Sequence, residues 1–560
     1  MRYFRILFLT VGWALGLLPV FSQTGKGKTY RTAAVVCAHP EAARVGEEVL
    51  RKGGNAADAA FAVHFALAVA YPSAGNLGGG GFALYRAKGG EYDFLDFRET
   101  APAKASRDMF LDAKKNPVKG KSTDTRAASG VPGSVAGIFG FHRKYGSVDY
   151  RELLGYAIRL ANEGFRITQL QADDFNHYAP VFRTGNPTNT YLRKSTIWKA
   201  GDTLVQKDLG RTLAAIRDQG PAGFYDGKVA QLIVAEMKRG GGLISLADLK
   251  SYKPVWRVPI TGMYRGYKVV SAPPPSSGGI ALLQMLKLAE RYDFGPFKGV
   301  DDIFYSTEIE RLAYADRSKF VGDPDFFHIP VDSLLSDGYL NERAALIYPF
   351  RPSVSDSILP GRFAVREKEY TTHYSIVDAQ GNAVALTTTI NDHYGSKIFV
   401  TGAGFLLNNE MDDFSIKPGV ANMYGLTGME ANAIAPGKRM LSSMTPTIVE
   451  KDGKPFLLLG TPGGSTIITT VFRLIVCVID HKMDMNEAVA ATRFHHQWLP
   501  DVIYHEENAF TPEMQEELQR LGYRLKPRSY IGRADCILLR PDGTLEAAPD
   551  PRGDDTAGGW

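Results

Sequence analysis

Apolar and polar positions alternate along this chain in several distinct ways. An apolar run from Ile6 to Leu18 follows Arg2 and Arg5 and gives way to small residues around Ser22. Positions 39–52 read as a helix that stops at Gly53 and Gly54, and Asn55 caps a second one, "AADAAFAVHFALAVAYP". The second is apolar on nearly all sides yet shorter than the ~20 residues of a membrane span, which predicts a buried core helix. The glycine-rich "SAGNLGGGGFALY" then leads into a strand. Residues 150–300 read as mainly helical, broken by "PPPSSGG" (273–279) before the helix "IALLQMLKLAERY". Beyond about 345, "YPFRPSVSDSILPGRFAVREKE" is rich in proline, serine and charge without an apolar period, the pattern of an exposed or mobile segment. It ends at Tyr370, and strand alternation begins at Thr371.

That alternation, "TTHYSIVDAQGNAVALTTTIN" (371–391), predicts a hairpin. In the first strand Thr372, Tyr374 and Ile376 share one face and Thr371, His373 and Ser375 the other; in the second, Val384, Leu386 and Ile390 oppose Thr387, Thr389 and Asn391. The two apolar faces coincide only if paired residue numbers sum to an even value. A loop of Ala379, Gln380 and Gly381 gives that register and sets Thr371 opposite Thr389. The polar face then gathers Thr371, Thr387, Thr389 and Asn391. A threonine-rich hairpin facing water is the plain alternative. Thr371 stands apart because it lies where an irregular segment meets a strand. A chain cut before it would give Thr371 a free α-amino group with a reference pKa of ~7.7–8.0, so that hydroxyl and amine form a nucleophile with its own base. The same hydroxyl could make the cut by attacking the Tyr370 carbonyl.

Composition narrows the classes. The chain has 560 residues, 44% hydrophobic and 22% charged, with a net charge of +5, which fits one large enzyme fold or several domains and gives no basic footprint for nucleic acid. Residues 1–22 have the layout of a secretory signal peptide, with Val20 and Ser22 at the small positions before a cut and Gln23 as the new end; an uncleaved anchor is the alternative. Periplasmic or secreted localisation follows. Cys37, Cys477 and Cys536 are odd in number and widely spaced, so no disulfide framework is legible, and Cys37 and Cys477 sit in apolar runs as small buried residues.

Candidate binding chemistry clusters around the hairpin. Arg98 in "FLDFRETAP" with Ser442 and Ser443 in "RMLSSMTPT" is equipment for gripping a carboxylate. Asn391 with Glu410, Asp412 and Asp413 of "LLNNEMDDFS" suits an ammonium, and the N–H groups of Gly463 and Gly464 in "GTPGGST" suit an oxyanion. Each has a plain reading as surface pair, turn or flexible backbone. The acidic run lacks EF-hand spacing. "GGGG" at 78–81 lacks the Lys-Ser/Thr of a phosphate loop. His495 and His496 lack further ligands at zinc spacing, which leaves them a structural role, as for His64 in its apolar helix. No metal or organic cofactor is expected, and the Arg552-Gly553-Asp554 tripeptide carries little weight.

The blocks "GGNAADAA", "AGNLGGGGF", "DFRETAPAKASRDMF", "PPPSSGGI", "YADRSKFVGDPDF", "TTHYSIVDAQGNAVALTTTIN", "NNEMDDFS", "LSSMTPTIV", "GTPGGSTIITTV" and "RFHHQWLPD" resemble the gamma-glutamyltranspeptidases, especially their bacterial periplasmic branch, over nearly the whole chain. The resemblance implies an α+β N-terminal nucleophile hydrolase, a four-layer αββα sandwich of antiparallel sheets flanked by helices. It further implies autocleavage into a large subunit (23–370) and a small one (371–560). It assigns Thr371 as nucleophile, Thr389 beside it, and Gly463 and Gly464 to the oxyanion hole. Arg98, Ser442 and Ser443 would hold the substrate α-carboxylate, and Asn391, Glu410 and Asp413 its α-amino group. Residues 415–428 resemble a lid loop with Tyr424 as its closing residue. The implied activity is transfer of a γ-glutamyl group from glutathione or a related amide to water or to an amino acid or peptide acceptor. Two other readings stay open: an acylase of the same fold acting on a cephalosporin side chain, and an uncleaved, inactive extracellular binding protein.

Overall fold

The computed structural model describes residues 25–186, 189–193, 195–359, 371–420, 422–423, 425–426 and 428–560. The proposed signal peptide, the proposed cut after Tyr370 and the proposed closing residue Tyr424 lie outside them.

Two seven-stranded antiparallel sheets form the centre. The first runs Lys28–Tyr30, Leu545–Ala548, Cys536–Leu539, Lys454–Leu459, Thr447–Lys451, Tyr267–Ser271, Ile260–Tyr264. The second runs Thr556–Gly559, Ala34–Cys37, Thr372–Val377, Ala383–Thr389, Gly80–Arg86, Tyr92–Asp96, Val255–Arg257. Alternation along the strands divides the side chains between layers. Val35, Tyr374, Ile376, Val384 and Leu386 pack against the helices Pro40–Arg51 and Ala56–Ala70. Ala34, Val36, Phe82, Val377 and Ala385 point the other way and meet Val270, Ile448, Leu458 and Ile537 of the first sheet. The far face of that sheet, with Val269, Val449, Leu457 and Leu459, is covered by helices Gly278–Ala289, Val300–Phe320 and Thr466–Ile479. The layers are helix, sheet, sheet, helix, as expected of the αββα sandwich.

The local signals behave as read. Asn55 caps Ala56–Ala70 reciprocally with Asp58, and every residue of that helix is buried. The hairpin pairs Thr372 with Thr388 and Tyr374 with Leu386, the even-sum register, and Gly381 closes the loop at φ +88. Its polar face does not meet water. It faces the other sheet: His373 bonds Thr387 Oγ1 across the hairpin at 2.8 Å, and Ser375 Oγ donates to the Asp535 carbonyl at 2.8 Å. The glycine run has a steric reason: a Cβ on Gly79 would lie 2.0 Å from the Thr389 carbonyl, so only glycine lets this turn press against the second hairpin strand.

Two expectations need correction. Residues 255–271 are three strands rather than helix, because "VWRVPITGMYRGYKVV" is β-branched and aromatic and turns sharply at Arg265 and Gly266, both at positive φ. The segment after 345 is not uniformly exposed: Ser355 and Ile358 are buried, with Ser355 N–H donating to Asp501 at 2.8 Å and Trp498 Nε1 to the Ser355 carbonyl at 2.9 Å. Its polar serines find partners on other elements, which a periodicity search cannot register.

Candidate active site

Thr371 lies immediately before the strand Thr372–Val377, 7% exposed, at the junction of two hollows. One, with about 510 Å³ of space including its mouth, is lined by Arg98, Thr389, Asn391, Asp413, Ser442, Ser443 and Gly464. The other, about 940 Å³ on the same basis, is lined by Tyr71, Asp174, Phe175, His393, Tyr394, Gly463, Tyr530 and Arg533. Gly463 and Gly464 thus take one hollow each, at φ +137 and +48, immediately before helix Thr466–Ile479. Their positive φ and the helix N-terminus beyond them suit a concentration of partial positive charge near Thr371.

The register delivers the hydroxyl pair. Thr371 Oγ1 donates to Thr389 Oγ1 at 3.4 Å, and Asn391 N–H donates to the same oxygen at 2.7 Å. The buried Glu410 carboxyl, which Thr389 helps to stabilise, lies beyond it. A chain of polar groups therefore runs from Thr371 to a buried carboxyl. Asn391, at φ +72, turns the backbone out of the strand and donates through Nδ2 to the Asn409 carbonyl at 3.0 Å.

Arg98 and the acidic residues, read from sequence as grips for opposite ends of a ligand, touch one another. Arg98 pairs with Glu410 at 2.5 Å, with Asp413, and with Glu99 at 3.5 Å, and donates to the Leu441 carbonyl at 3.1 Å. Burial holds the Glu410 carboxyl well above the usual carboxylate range and that of Glu99 up to about 8, against the pull of Arg98. Asp413 is raised for the same reason, and Asp412, bonded by Ser122 Oγ at 2.6 Å, is pushed up to about 6. Asp413 lines the first hollow; Glu410 is wholly buried behind it and does not.

Sequence reading missed Arg317, Ser277, Asn76 and Glu99. Arg317 comes from the helix Val300–Phe320, whose interior carries Glu308, Glu310, Arg311, Asp316 and Arg317 all buried. Charges interleaved with Ile309, Leu312 and Ala313 were the available signal for a helix packed on every side. Asn76 donates to the Thr389 carbonyl at 3.0 Å and accepts from Gly79 N–H at 2.9 Å, tying the glycine turn to the hairpin. His495 and His496 are buried with protein partners, Thr469 and Gln497 for the first and Asp501 for the second. Among the described residues no acidic, histidine or cysteine group is arranged to hold a metal. The three cysteines are free and buried. Arg552 is buried against Asp550 and Glu506, so the tripeptide offers no accessible arginine.

Residues 42–560 match the family model described as gamma-glutamyltranspeptidase. The chain is 47% identical over 524 residues to a glutathione hydrolase proenzyme of Escherichia coli, covering 93% of this chain and 90% of that one. It is 44% identical over 560 residues to a glutathione hydrolase proenzyme of Pseudomonas aeruginosa, covering 98% of each. In three dimensions it is similar to a cephalosporin acylase from Bacillus halodurans, with a TM-score of 0.84, 25% identity and 99% of both chains covered. It is also similar to gamma-glutamyltranspeptidase of Helicobacter pylori, with a TM-score of 0.56 and 42% identity, covering 64% of this chain and 97% of that one.

Proposed function

The chain belongs to the gamma-glutamyltranspeptidase family, and from that premise we propose that it is a self-processing γ-glutamyl hydrolase and transferase acting on glutathione-like amides. The observation that carries the reading is Thr371 at the meeting point of two hollows, bonded to Thr389, with Gly464 lining the first hollow and Gly463 the second.

In the precursor, Thr371 Oγ attacks the Tyr370 carbonyl carbon. The C–N bond breaks, the nitrogen keeps the proton taken from the hydroxyl, and the resulting ester is opened by water. The large subunit then ends at Tyr370, and Thr371 has a free amine. The proenzyme names of the relatives support the processing of a precursor. In the mature enzyme that amine takes the hydroxyl proton as Oγ attacks the substrate γ-carbonyl, and the Gly463 and Gly464 N–H groups receive the oxyanion. Collapse breaks the amide C–N bond, and the departing amine takes the proton back. Water or an acceptor amine then resolves the γ-glutamyl ester by the same steps in reverse.

The first hollow takes the glutamyl group, its ammonium against Asp413 and Asn391 and its carboxylate toward Arg98, Ser442 and Ser443. Glu410 acts from behind, through Thr389 and Arg98. The second hollow opens from the other side of Thr371 and suits the leaving group or the acceptor, with aromatic walls at Tyr71, Phe175 and Tyr394 and charge from Asp174 and Arg533. Residues 1–22 direct export, and the mature chain works in the periplasm or outside the cell, where glutathione and peptide acceptors reach it.

The test is turnover of L-γ-glutamyl-p-nitroanilide beside glutaryl-p-nitroanilide, which lacks the α-amino and α-carboxylate groups. A strong preference for the glutamyl donor is expected; equal turnover, or preference for the glutaryl donor, points to the acylase reading. The pH–rate profile of kcat/KM should rise through a base titrating near the ~7.7–8.0 of an α-amino group.

A further inference from the structure

Among the described residues, one buried cation at the first hollow has no carboxylate ion-paired with it. Arg317 is 5% exposed and lines the hollow beside Ser442 and Ser443. Its Nε donates to Ser277 Oγ at 2.8 Å and its Nη2 to Ser443 Oγ at 3.0 Å, both neutral oxygens. The other buried arginines behave differently: Arg86, Arg311, Arg473, Arg493 and Arg552 are each ion-paired with a carboxylate. Among the described residues no carboxylate pairs with Arg317, and Asp413, whose charge reaches it, is already bound to Arg98. A desolvated guanidinium without a counter-charge is costly unless something at that place balances it.

The geometry around it is fixed. Ser277 Oγ also donates to the Ser442 carbonyl at 2.8 Å, so Arg317, Ser277 and the Ser442-Ser443 backbone form one unit. A Ser443 oxygen that accepts from Arg317 keeps its own hydrogen to donate, and Ser443 lines the hollow. Arg98, paired with Asp413 and Glu410, lines the same hollow and is the second guanidinium there.

We propose that Arg317 is a positioning residue for the α-carboxylate of the γ-glutamyl donor: it holds Ser443 as a donor to that carboxylate and supplies the positive charge the carboxylate neutralises. This rests on the γ-glutamyl reading and adds to it the counter-charge of one ligand group. A zwitterionic glutamyl head would then be balanced on both sides, its ammonium by Asp413 and its carboxylate by Arg98 together with Arg317 acting through Ser443.

The experiment compares wild type, Arg317→Met, Arg317→Lys and Ser277→Ala on L-γ-glutamyl-p-nitroanilide and on the same anilide with its α-carboxylate converted to the primary amide. Removing the charge should raise KM for the carboxylate donor about tenfold or more, the scale of a lost charge-assisted hydrogen bond. The kcat should stay within about threefold, and kcat/KM for the amide donor should change far less. Arg317→Lys should recover part of the loss, because it keeps the charge without the fork that reaches both serines. Ser277→Ala should fall between wild type and Arg317→Met. Equal losses on both donors would make Arg317 a structural tie only and overturn the proposal. If Arg317→Met does not fold, the lysine and Ser277 variants carry the same comparison, with the same outcome overturning it. Calorimetric titration of each protein with L-glutamate and its α-amide separates the two claims. Wild type that turns over neither anilide refutes the γ-glutamyl reading, while glutamate binding that is equally tight in wild type and Arg317→Met refutes the role of Arg317.

Discussion

A single hydroxyl at Thr371 can serve both processing and turnover because its surroundings are already assembled around it. Thr389 Oγ1 takes its hydrogen bond, and Asn391 N–H fixes Thr389 from the far side. Asp413 is the acidic side chain that meets the hollow directly, ion-paired to Arg98 until a ligand arrives. Asp413→Asn should therefore raise KM for γ-glutamyl donors by more than about tenfold, since a charge-assisted bond to the ammonium is worth roughly 1.5–3 kcal/mol. Self-cleavage, which involves no free ammonium, should continue; a steady-state series and a denaturing gel on one preparation check both halves. Thr371, Thr389, Asn391, Asp413 and the serine pair were legible as residue types beside a hairpin. Arg317 and Ser277 were not, because they lie far away in sequence: helix Val300–Phe320 carries Arg317 to Ser443, and Ser277, at the start of helix Gly278–Ala289, bonds the Ser442 carbonyl.

At the level of elements, the hairpin and the glycine turn do the positioning. The register was readable because a three-residue loop and two alternating faces allow only even-sum pairing. Which way the polar face points was not readable: alternation separates two faces without saying what covers each. The strands at 255–271 were missed for a related reason, since short strands joined at Arg265-Gly266 leave too little regular pattern to outweigh the helices around them. Two glycines with different constraints test this account. Gly381 has φ +88 and open space around its Cβ position, so Gly381→Ala should cost about 1 kcal/mol of backbone strain and keep activity. Gly79→Ala would thrust its methyl to 2.0 Å from the Thr389 carbonyl, and overpacking of this kind costs about 1–3 kcal/mol or more. It should lose turnover while much of the fold survives. Urea midpoints and anilide turnover measured together give the contrast.

Over the whole molecule, helices covering both outer sheet faces leave a large number of ionisable groups dry. Glu310, on the helix that delivers Arg317, accepts from His496 N–H at 2.8 Å, and burial pushes its carboxyl up to about 8. A folded-state value raised from about 4.5 gives stability that is full below pH 4.5 and lost as the pH rises through 8. Glu310→Gln keeps the shape and removes the titration. Its stability relative to wild type should rise between pH 5 and pH 8, by about 1.4 kcal/mol for each pH unit over which the folded and unfolded forms differ by a proton. Thermal midpoints of both proteins across that range check the sign; a constant difference would mean that Glu310 is ionised throughout. The sequence indicated large size and two kinds of periodicity, but the order of the four layers came from resemblance, because periodicity within an element does not name its neighbour.

The most direct measurement is the intact mass of purified wild type beside Thr371→Ala. The account predicts two fragments from wild type, the smaller beginning at Thr371, and one uncut chain from the variant. A wild type that stays whole, or a variant cut at the same bond, would contradict the claim that Thr371 makes its own amine and then uses it.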